Sequence, residues 1–263
     1  MSNHEKKVEA NHLEIEMSCM KDYNDLTEKD LRIQLAASYR LVEKLGWSFL
    51  IFGHLTARVP GSEKNFLINP YGLMYDEICA SNLVKINLEG DKVEKSSWDV
   101  NPAGFIIHSA VHSSKSNAHC VMHTHTNAGM AMAALKKGLI NIDFSGSAFH
   151  ERVAYHDFEG VTLRKDECKR IADDLGDKSI MILKNHGLLT TGATVAEAFM
   201  KLYTLESACQ VQLLARACDE EYEFVPGDIA ENHAKDLKNA ASFKLAFRAL
   251  VRRMLREDPS FIL

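Results

Sequence analysis

Two histidines separated by one residue, His123 and His125, are the residues of this sequence best suited to carry chemistry. They lie in a mainly apolar run, 120–125, that is typical of a β-strand. Because side chains two residues apart on a strand leave the same face, the two imidazoles are expected to point together. A third histidine, His186, follows a second strand-like run at 179–184.

Three imidazoles that converge from two strands can hold a divalent cation such as zinc and leave one coordination position open. An open position for water or substrate is characteristic of a catalytic metal site, not of a structural one. The spacing also has a simpler interpretation, since twelve histidines are spread over 263 residues and a His-x-His pair can arise by chance. The pattern predicts His123, His125 and His186 as metal ligands, with chance as the alternative.

Composition narrows the class of protein. Apolar residues make up 46% and charged residues 25%, which is ordinary for a globular protein. A net charge of −5 argues against a nucleic-acid partner, and no apolar run approaches the roughly 20 residues that span a bilayer. Six cysteines without a Cys-x-x-Cys motif, together with an N-terminus that lacks a secretory signal, favour a cytoplasmic protein.

Patterning divides the chain into an arm and one domain. Residues 1–25 are polar and aperiodic, which predicts a flexible N-terminal arm. Residues 26–263 show no internal repeat or low-complexity linker and are expected to form a single domain with a C-terminal helical extension.

The elements that position the histidines follow from hydrophobic periodicity. Thr27 and Asp30 are typical of a helix N-terminus, and Gly46 is expected to end that helix. Central strands with helices before, between and after them predict a mixed α/β layered sandwich with much antiparallel pairing. Strands are predicted at 66–68, 83–88, 92–94 and 187–192, and helices from 102, from a cap at Asn127, and at 166–175, 195–218 and 230–255.

Four motifs in a fixed order make the chain recognisable: Leu45-Gly46-Trp47, Ile68-Asn69-Pro70-Tyr71-Gly72, His123-Thr124-His125 and Asn185-His186-Gly187. Over about residues 28–218 the chain resembles the class II aldolase and adducin head-domain family. The stretches 51–56, 83–91 and 153–157 resemble the adducin-type branch. The resemblance implies a class II aldolase-like α/β fold, a three-layer α/β/α sandwich around a central, largely antiparallel sheet.

The same resemblance implies a function. His123, His125 and His186 match the histidines that hold zinc, or another divalent metal, in the enzymes of this family. There the metal binds the oxygens of a ketose-like substrate and stabilises the enediolate left when a carbon–carbon bond breaks. The resemblance therefore implies a cytoplasmic, metal-dependent lyase, commonly a homotetramer, that acts on a small, oxygen-rich molecule.

Departures from the family pattern argue against a standard sugar-phosphate substrate. Gly104 stands where the sugar-phosphate aldolases carry an acid/base glutamate, and Pro102 and Ala103 stand where serines help to bind phosphate. His54 and Tyr71 likewise match other phosphate-loop positions. Decarboxylation or dehydration of a chelating substrate fits the same metal chemistry as carbon–carbon cleavage.

Five further residues are candidates for the site. His54 can contact a carboxylate or another anion, Tyr71 lies in the same region, and Gly72 can shape the turn beside it; a structural role is the alternative. Tyr155 or His156 can supply the acid/base group that Gly104 cannot, or can belong to a polar turn after a strand.

The alternative function is a non-catalytic, adducin-like scaffold that retains a metal site and binds cytoskeletal proteins such as actin. The animal members of the adducin-type branch are known as cytoskeletal proteins. The last residues, 257–263, carry no long basic tail of the kind expected of those proteins, which weakens this alternative.

Overall fold

The computed structural model describes residues 3–62, 64–161, 164, 166–237 and 240–263. The strands are β1 (His54–Arg58), β2 (Asn65–Ile68), β3 (Val84–Asn87), β4 (Cys120–Thr124), β5 (Val153–His156), β6 (Ile180–Leu183) and β7 (Gly187–Gly192). The helices are α1 (Asn3–Ser18), α2 (Glu28–Lys44), α3 (Pro102–Ser114), α4 (Asn127–Ala133), α5 (Phe144–Ser147), α6 (Glu167–Leu175), α7 (Val195–Arg216), α8 (Gly227–Asp236) and α9 (Ala240–Glu257).

Within the described residues, seven strands form one sheet in the order β3-β2-β1-β4-β7-β6-β5. Every neighbouring pair is antiparallel except β5 and β6, which are parallel. Helices α2, α4, α7 and α9 contribute to the core on one face, whereas α3 and α6 pack on the other. The predicted three-layer α/β/α sandwich with a largely antiparallel sheet is confirmed.

Strand β4 shows how the sheet divides its side chains between the two layers. Cys120 and Met122 belong to the larger core with α2 and α7, and Val121 belongs to the smaller core with α3 and α6. Because strand residues alternate between faces, His123 points to the same side as Val121. The sheet thus directs His123 towards the α3 layer.

Residues 3–25 differ from the predicted flexible arm. They contain α1, and Ile15 and Cys19 are buried in the main core. Glu16 pairs with Arg248 and Arg252 of α9, which anchors the end of α1. The arm prediction is wrong for this part because α1 is mainly polar and several of its apolar side chains are exposed, so its sequence shows no clear helical period.

Ile15→Ala is expected to lower the free energy of unfolding by roughly 2–4 kcal/mol, because it removes a buried side chain that is only 5% exposed. Leu13→Ala on the same helix is the matched control, since Leu13 is 55% exposed. Urea unfolding of the two variants measures the difference. A similar midpoint for both would show that α1 contributes no packing energy.

Two other predicted elements are corrected. The helix predicted over 230–255 is two helices, α8 and α9, which have different partners: α8 packs on α5, whereas α9 packs on α7. The strand predicted at 92–94 is not formed, and Lys92 makes only an isolated bridge with Ile86. Among the described helices, none has the length and apolar character that a membrane crossing requires.

Candidate metal site and cavity

The three predicted ligands lie together at one end of the sheet. His123 is on β4, His125 follows the last residue of that strand, and His186 lies in the turn between β6 and β7. The prediction that both histidines of the pair share one strand is wrong by one residue, since β4 ends at Thr124. The site therefore combines one strand residue with two residues from connecting segments.

The turn before β7 brings His186 to the other two histidines. Asn185 has a left-handed backbone conformation (φ 56°), which asparagine tolerates better than most residues. Its backbone N–H donates to the carbonyl of Ala133 at the end of α4. Gly187 then starts β7, where a Cβ atom would lie 2.4 Å from the backbone oxygen of Thr124. The Asn-His-Gly motif is thus explained by backbone geometry on both sides of His186.

A cap holds the segment that carries His125. Thr126 accepts a hydrogen bond from the backbone N–H of Gly129, so Thr126 is the N-cap of α4 and the predicted cap, Asn127, is the first helical residue. The Thr126 hydroxyl also donates to the buried carboxylate of Glu206 on α7, at 2.6 Å. These contacts fix the backbone immediately after His125.

The imidazole nitrogens converge through their Nε2 atoms. His125 Nε2 lies 2.7 Å from His123 Nε2 and 2.9 Å from His186 Nε2. His123 Nδ1–H donates to the carbonyl oxygen of Leu188, which leaves the Nε2 lone pair of His123 directed at the cluster. A backbone carbonyl that orients a histidine in this way is typical of metal ligands in proteins.

Electrostatics keep these imidazoles neutral. Burial is the main cause that lowers the pKa of His123 well below its usual value and the pKa of His186 to about 4. Burial lowers the pKa of His125 as well. A neutral imidazole can present one nitrogen lone pair, and three such lone pairs directed at one point form a binding site for a cation. The donor set fits a divalent metal such as zinc, which takes neutral histidine nitrogens as ligands.

The cluster forms part of the wall of a cavity of about 530 Å³. The wall is largely apolar and aromatic, and a few polar groups converge on it, as is common in small-molecule sites. Among the described residues that line it, none is a lysine or an arginine. The lining residues are Phe52, Gly53, His54, Tyr71, Asn101, Pro102, Ile107, His123, His125, Met130, Phe158, Gly160, Val161, Asn185 and His186.

His54 lies directly beside the cluster. It is the cross-strand neighbour of His123 in the β1–β4 pair, and the two ring centroids are 5.2 Å apart. The ring of His54 also stacks on His108 of α3, with centroids 4.6 Å apart and planes inclined by 17°. The structure thus brings this predicted substrate-binding residue to the histidine cluster.

A buried hydrogen-bonded chain extends from His108 away from the cavity. His112 Nδ1–H donates to the carbonyl oxygen of Ala118, so the Thr56 hydroxyl donates to His112 Nε2, at 2.8 Å. The same hydroxyl then accepts from His108 Nδ1–H at 2.6 Å. His108 and His112, one turn apart on α3, therefore belong to a structural network that supports His54. The same contacts hold both side chains away from the cluster of His123, His125 and His186.

This network makes stability depend on pH. Burial, followed by the charge of Arg58, lowers the pKa of His112 to about 3, whereas an unfolded chain titrates near 6.5. Between these values the unfolded state binds a proton that the folded state excludes, so stability falls as the pH falls below about 6.5. His112→Gln is expected to reduce this loss by roughly 1–2 kcal/mol between pH 7 and pH 5.

Urea unfolding at the two pH values, with a chelator present, measures the effect. His112→Gln also removes hydrogen bonds, so the change with pH, and not the absolute stability, is compared with that of the unsubstituted chain. An equal change in both proteins would contradict a neutral, buried His112.

The candidate catalytic residues Tyr155 and His156 diverge, because they are neighbours on β5 and point to opposite faces. The Tyr155 hydroxyl accepts a hydrogen bond from the backbone N–H of Leu139, at 3.0 Å, and does not reach the cavity wall. His156 is buried behind His186 and pairs through Nδ1 with Asp174, at 2.7 Å. Within one chain, the structure places neither side chain where it faces the cavity.

Tyr71 and Gly72 also differ in their position relative to the cavity. Tyr71 lines the cavity and is 38% exposed. Gly72 has a left-handed conformation (φ 104°), and a Cβ atom at this position would meet nothing within 4 Å. Gly72 therefore provides a backbone turn that presents Tyr71, and the prediction that it contacts substrate is not supported by its position.

Sequence patterns did not identify three further wall residues, Phe52, Asn101 and Phe158. Phe158 packs edge-on against His186, with ring centroids 6.3 Å apart. Asn101 immediately precedes α3. The sequence signal for Asn101 was its position as a polar residue just before the helix predicted to begin at Pro102. Nothing in the local pattern distinguishes Phe52 from a core residue.

Comparison with known proteins supports the fold described above. Residues 33–213 match the model of the class II aldolase and adducin N-terminal domain. A solved aldolase II superfamily protein from Pseudomonas syringae is 41% identical, with a TM-score of 0.86 over 90% of this chain and 96% of that one. An L-fuculose 1-phosphate aldolase from Glaciozyma antarctica is 31% identical, with a TM-score of 0.79 over 88% and 92%. Alpha-adducin of Rattus norvegicus is 46% identical over 192 residues, which are 72% of this chain and 26% of the adducin. The chain therefore belongs to the class II aldolase and adducin N-terminal domain family.

Proposed function

We propose that this protein is a metal-dependent lyase that cleaves a carbon–carbon bond, or carries out related enolate chemistry, on a small, oxygen-rich substrate. The observation that carries the proposal is the convergence of three neutral histidine nitrogens on the wall of a cavity. A divalent cation held there would supply Lewis-acid chemistry, by binding substrate oxygens and stabilising the negative charge that develops when the bond breaks.

The chain's own residues define how a substrate would be held. The Leu188 carbonyl and the Asn-His-Gly turn orient the ligands before substrate arrives, which reduces the cost of reorganisation. Phe52 and Phe158 contribute apolar surface to the cavity wall, and Asn101 and Tyr71 carry groups that can form hydrogen bonds. Catalysis by Tyr155 or His156 has no support from their positions within one chain.

The charge of the cavity favours a substrate other than a standard sugar phosphate. A phosphate group near neutral pH carries more than one negative charge and is usually bound by arginine, lysine or backbone N–H groups. The described lining residues offer neither of those cations, so a neutral or singly charged hydroxy-ketone or hydroxy-acid is the better fit.

The protein is further proposed to act in the cytoplasm as a homo-oligomer, in the manner of tetrameric members of the family. All six cysteines are free, as expected in a reducing compartment. Exposed apolar side chains such as Phe49 (46%), Phe144 (70%) and Leu214 (70%) offer surface that subunit contacts can cover.

The test of this function combines metal analysis with a substrate screen. Purified protein is expected to contain near-stoichiometric zinc, manganese, iron or cobalt, and the loaded protein is expected to release an aldehyde or carbon dioxide from a hydroxy-ketone or hydroxy-acid. Removal of the metal by a chelator should abolish the release and re-addition should restore it. Absence of bound metal would refute the proposal.

A second candidate is a non-catalytic, adducin-like domain that binds cytoskeletal proteins. The 46% identity to alpha-adducin favours it, as does glycine at position 104. Full metal loading without turnover of any screened substrate, together with direct binding to purified actin filaments in a sedimentation assay, would support this candidate over the lyase.

A further inference from the structure

His54 is an unusual buried residue. Its side chain is 3% exposed, and neither ring nitrogen has a hydrogen-bond partner among the described residues. Leaving a buried polar group unpaired destabilises a fold, so such groups usually have a partner in the working state of a protein. If residue 54 only packed against its neighbours, an apolar side chain would make the fold more stable than this unpaired imidazole does.

The surroundings hold the ring of His54 in one place. His108 supports one face, and His123 packs edge-on beside it. His108 is itself fixed through Thr56 and His112. The imidazole of His54 is thus oriented by a rigid, hydrogen-bonded support and contributes to the wall of the cavity.

Gly104 on α3 creates the space that this ring occupies. A Cβ atom at position 104 would lie 2.1 Å from Cδ2 and 2.5 Å from Nε2 of His54. Separations below about 3 Å are not compatible with carbon packing, since favourable contacts lie near 3.5–4.0 Å. The imidazole of His54 can therefore hold this position only if residue 104 has no side chain.

We propose that His54 binds an oxygen of the substrate next to the metal, and that the lack of a side chain at Gly104 is what permits this contact. The inference rests on the proposed metal-dependent function and specifies how substrate is recognised there. His54 takes the volume of the missing side chain and offers one N–H donor and one acceptor.

The hydrogen-bonding groups of His54 define the class of ligand. The side chain is buried, and both ring nitrogens lack a partner among the described residues. An imidazole ring offers one donor and one acceptor, and no fork of donors like that of arginine. It therefore suits a hydroxyl, carbonyl or single carboxylate that chelates the metal, and it does not replace the cations that a phosphate needs.

The test uses the full chain loaded with Co²⁺, whose visible spectrum reports a change in coordination, and the probe glycerate, a 2-hydroxy acid with one additional hydroxyl. His54→Leu is expected to retain a full equivalent of Co²⁺ and to bind glycerate at least tenfold more weakly than the unsubstituted chain. His54→Gln, which keeps a donor and an acceptor, should recover part of the affinity.

Gly104→Ala provides an independent arm, because its methyl group displaces the ring without removing it. Gly104→Ala is expected to weaken glycerate binding as much as His54→Leu does. The double variant should be no weaker than His54→Leu alone, since the two changes act on one contact. Gly227→Ala is the matched control, because its Cβ would have no neighbour closer than 3.8 Å.

The outcomes are separable. If the unsubstituted chain holds no Co²⁺, the proposed function falls, and this inference falls with it. If Co²⁺ is held but glycerate leaves the spectrum unchanged, or binds His54→Leu and Gly104→Ala with undiminished affinity, only the role of His54 is overturned. Loss of Co²⁺ from His54→Leu would also overturn it, because the residue would then serve the metal and not the substrate.

Discussion

His123→Ala is expected to abolish stoichiometric metal binding, with a larger loss than any other single substitution in the site. His123 is completely buried, and its tautomer is fixed by the carbonyl of Leu188. Loss of a hydrogen-bonded group that only supports a ligand typically reduces metal affinity roughly 10–100-fold, and loss of the ligand itself should exceed that. Metal content after dialysis against a weak chelator measures the effect.

The control for this prediction is His119→Ala. His119 directly precedes β4, at the opposite end of the strand from the cluster, and stacks on Tyr23. This variant should keep its metal. Zinc should also raise the melting temperature of the unsubstituted chain and of His119→Ala, because a ligand that binds only the folded state stabilises it. Stabilisation of His123→Ala to the same degree would exclude His123 as a ligand.

Gly187→Ala is the second substitution expected to have a large effect, although it alters no ligand. Its Cβ would lie 2.4 Å from the Thr124 backbone oxygen, 3.2 Å from His125 Cδ2 and 3.4 Å from His123 Cε1. Since the nearest of these atoms belongs to the backbone of β4, the two strands must separate locally. Overpacking of this kind destabilises by roughly 1–3 kcal/mol, and it should spread the three nitrogens apart.

Two measurements test the effect of Gly187→Ala. They are the midpoint of urea unfolding in the presence of a chelator and the affinity of the protein for zinc. Both are expected to fall. Gly227→Ala, at the exposed start of α8, should leave both unchanged because its Cβ would have no neighbour closer than 3.8 Å. A Gly187→Ala protein with unaltered zinc affinity would show that the β4–β7 spacing does not determine the geometry of the cluster.

Local sequence signals predicted much of the fold. The capping box at Thr27 and Asp30 is present, and α2 ends before Gly46 as predicted. Strand β7 has the predicted bounds. These elements could be predicted because each depends on residues that are close in sequence, where capping and periodicity act.

Features that depend on long-range register could not be predicted in the same way. The contact of His54 with Gly104 requires β1 to pair with β4 and α3 to cross both strands, and no local pattern encodes that arrangement. The divergence of Tyr155 and His156 depends on recognising β5, a short edge strand whose partner is β6. His123 and His125 were identified because the His-x-His spacing is itself local, and His186 because it follows a strand-like run and lies in the Asn-His-Gly motif.

The close contact between positions 54 and 104 couples the evolution of these two residues. A residue larger than glycine at 104 would displace an imidazole at 54 from its place on the cavity wall, because their atoms would lie as little as 2.1 Å apart. A histidine at 54 can therefore hold this position only beside a glycine, and a change at either position alters the value of the residue at the other.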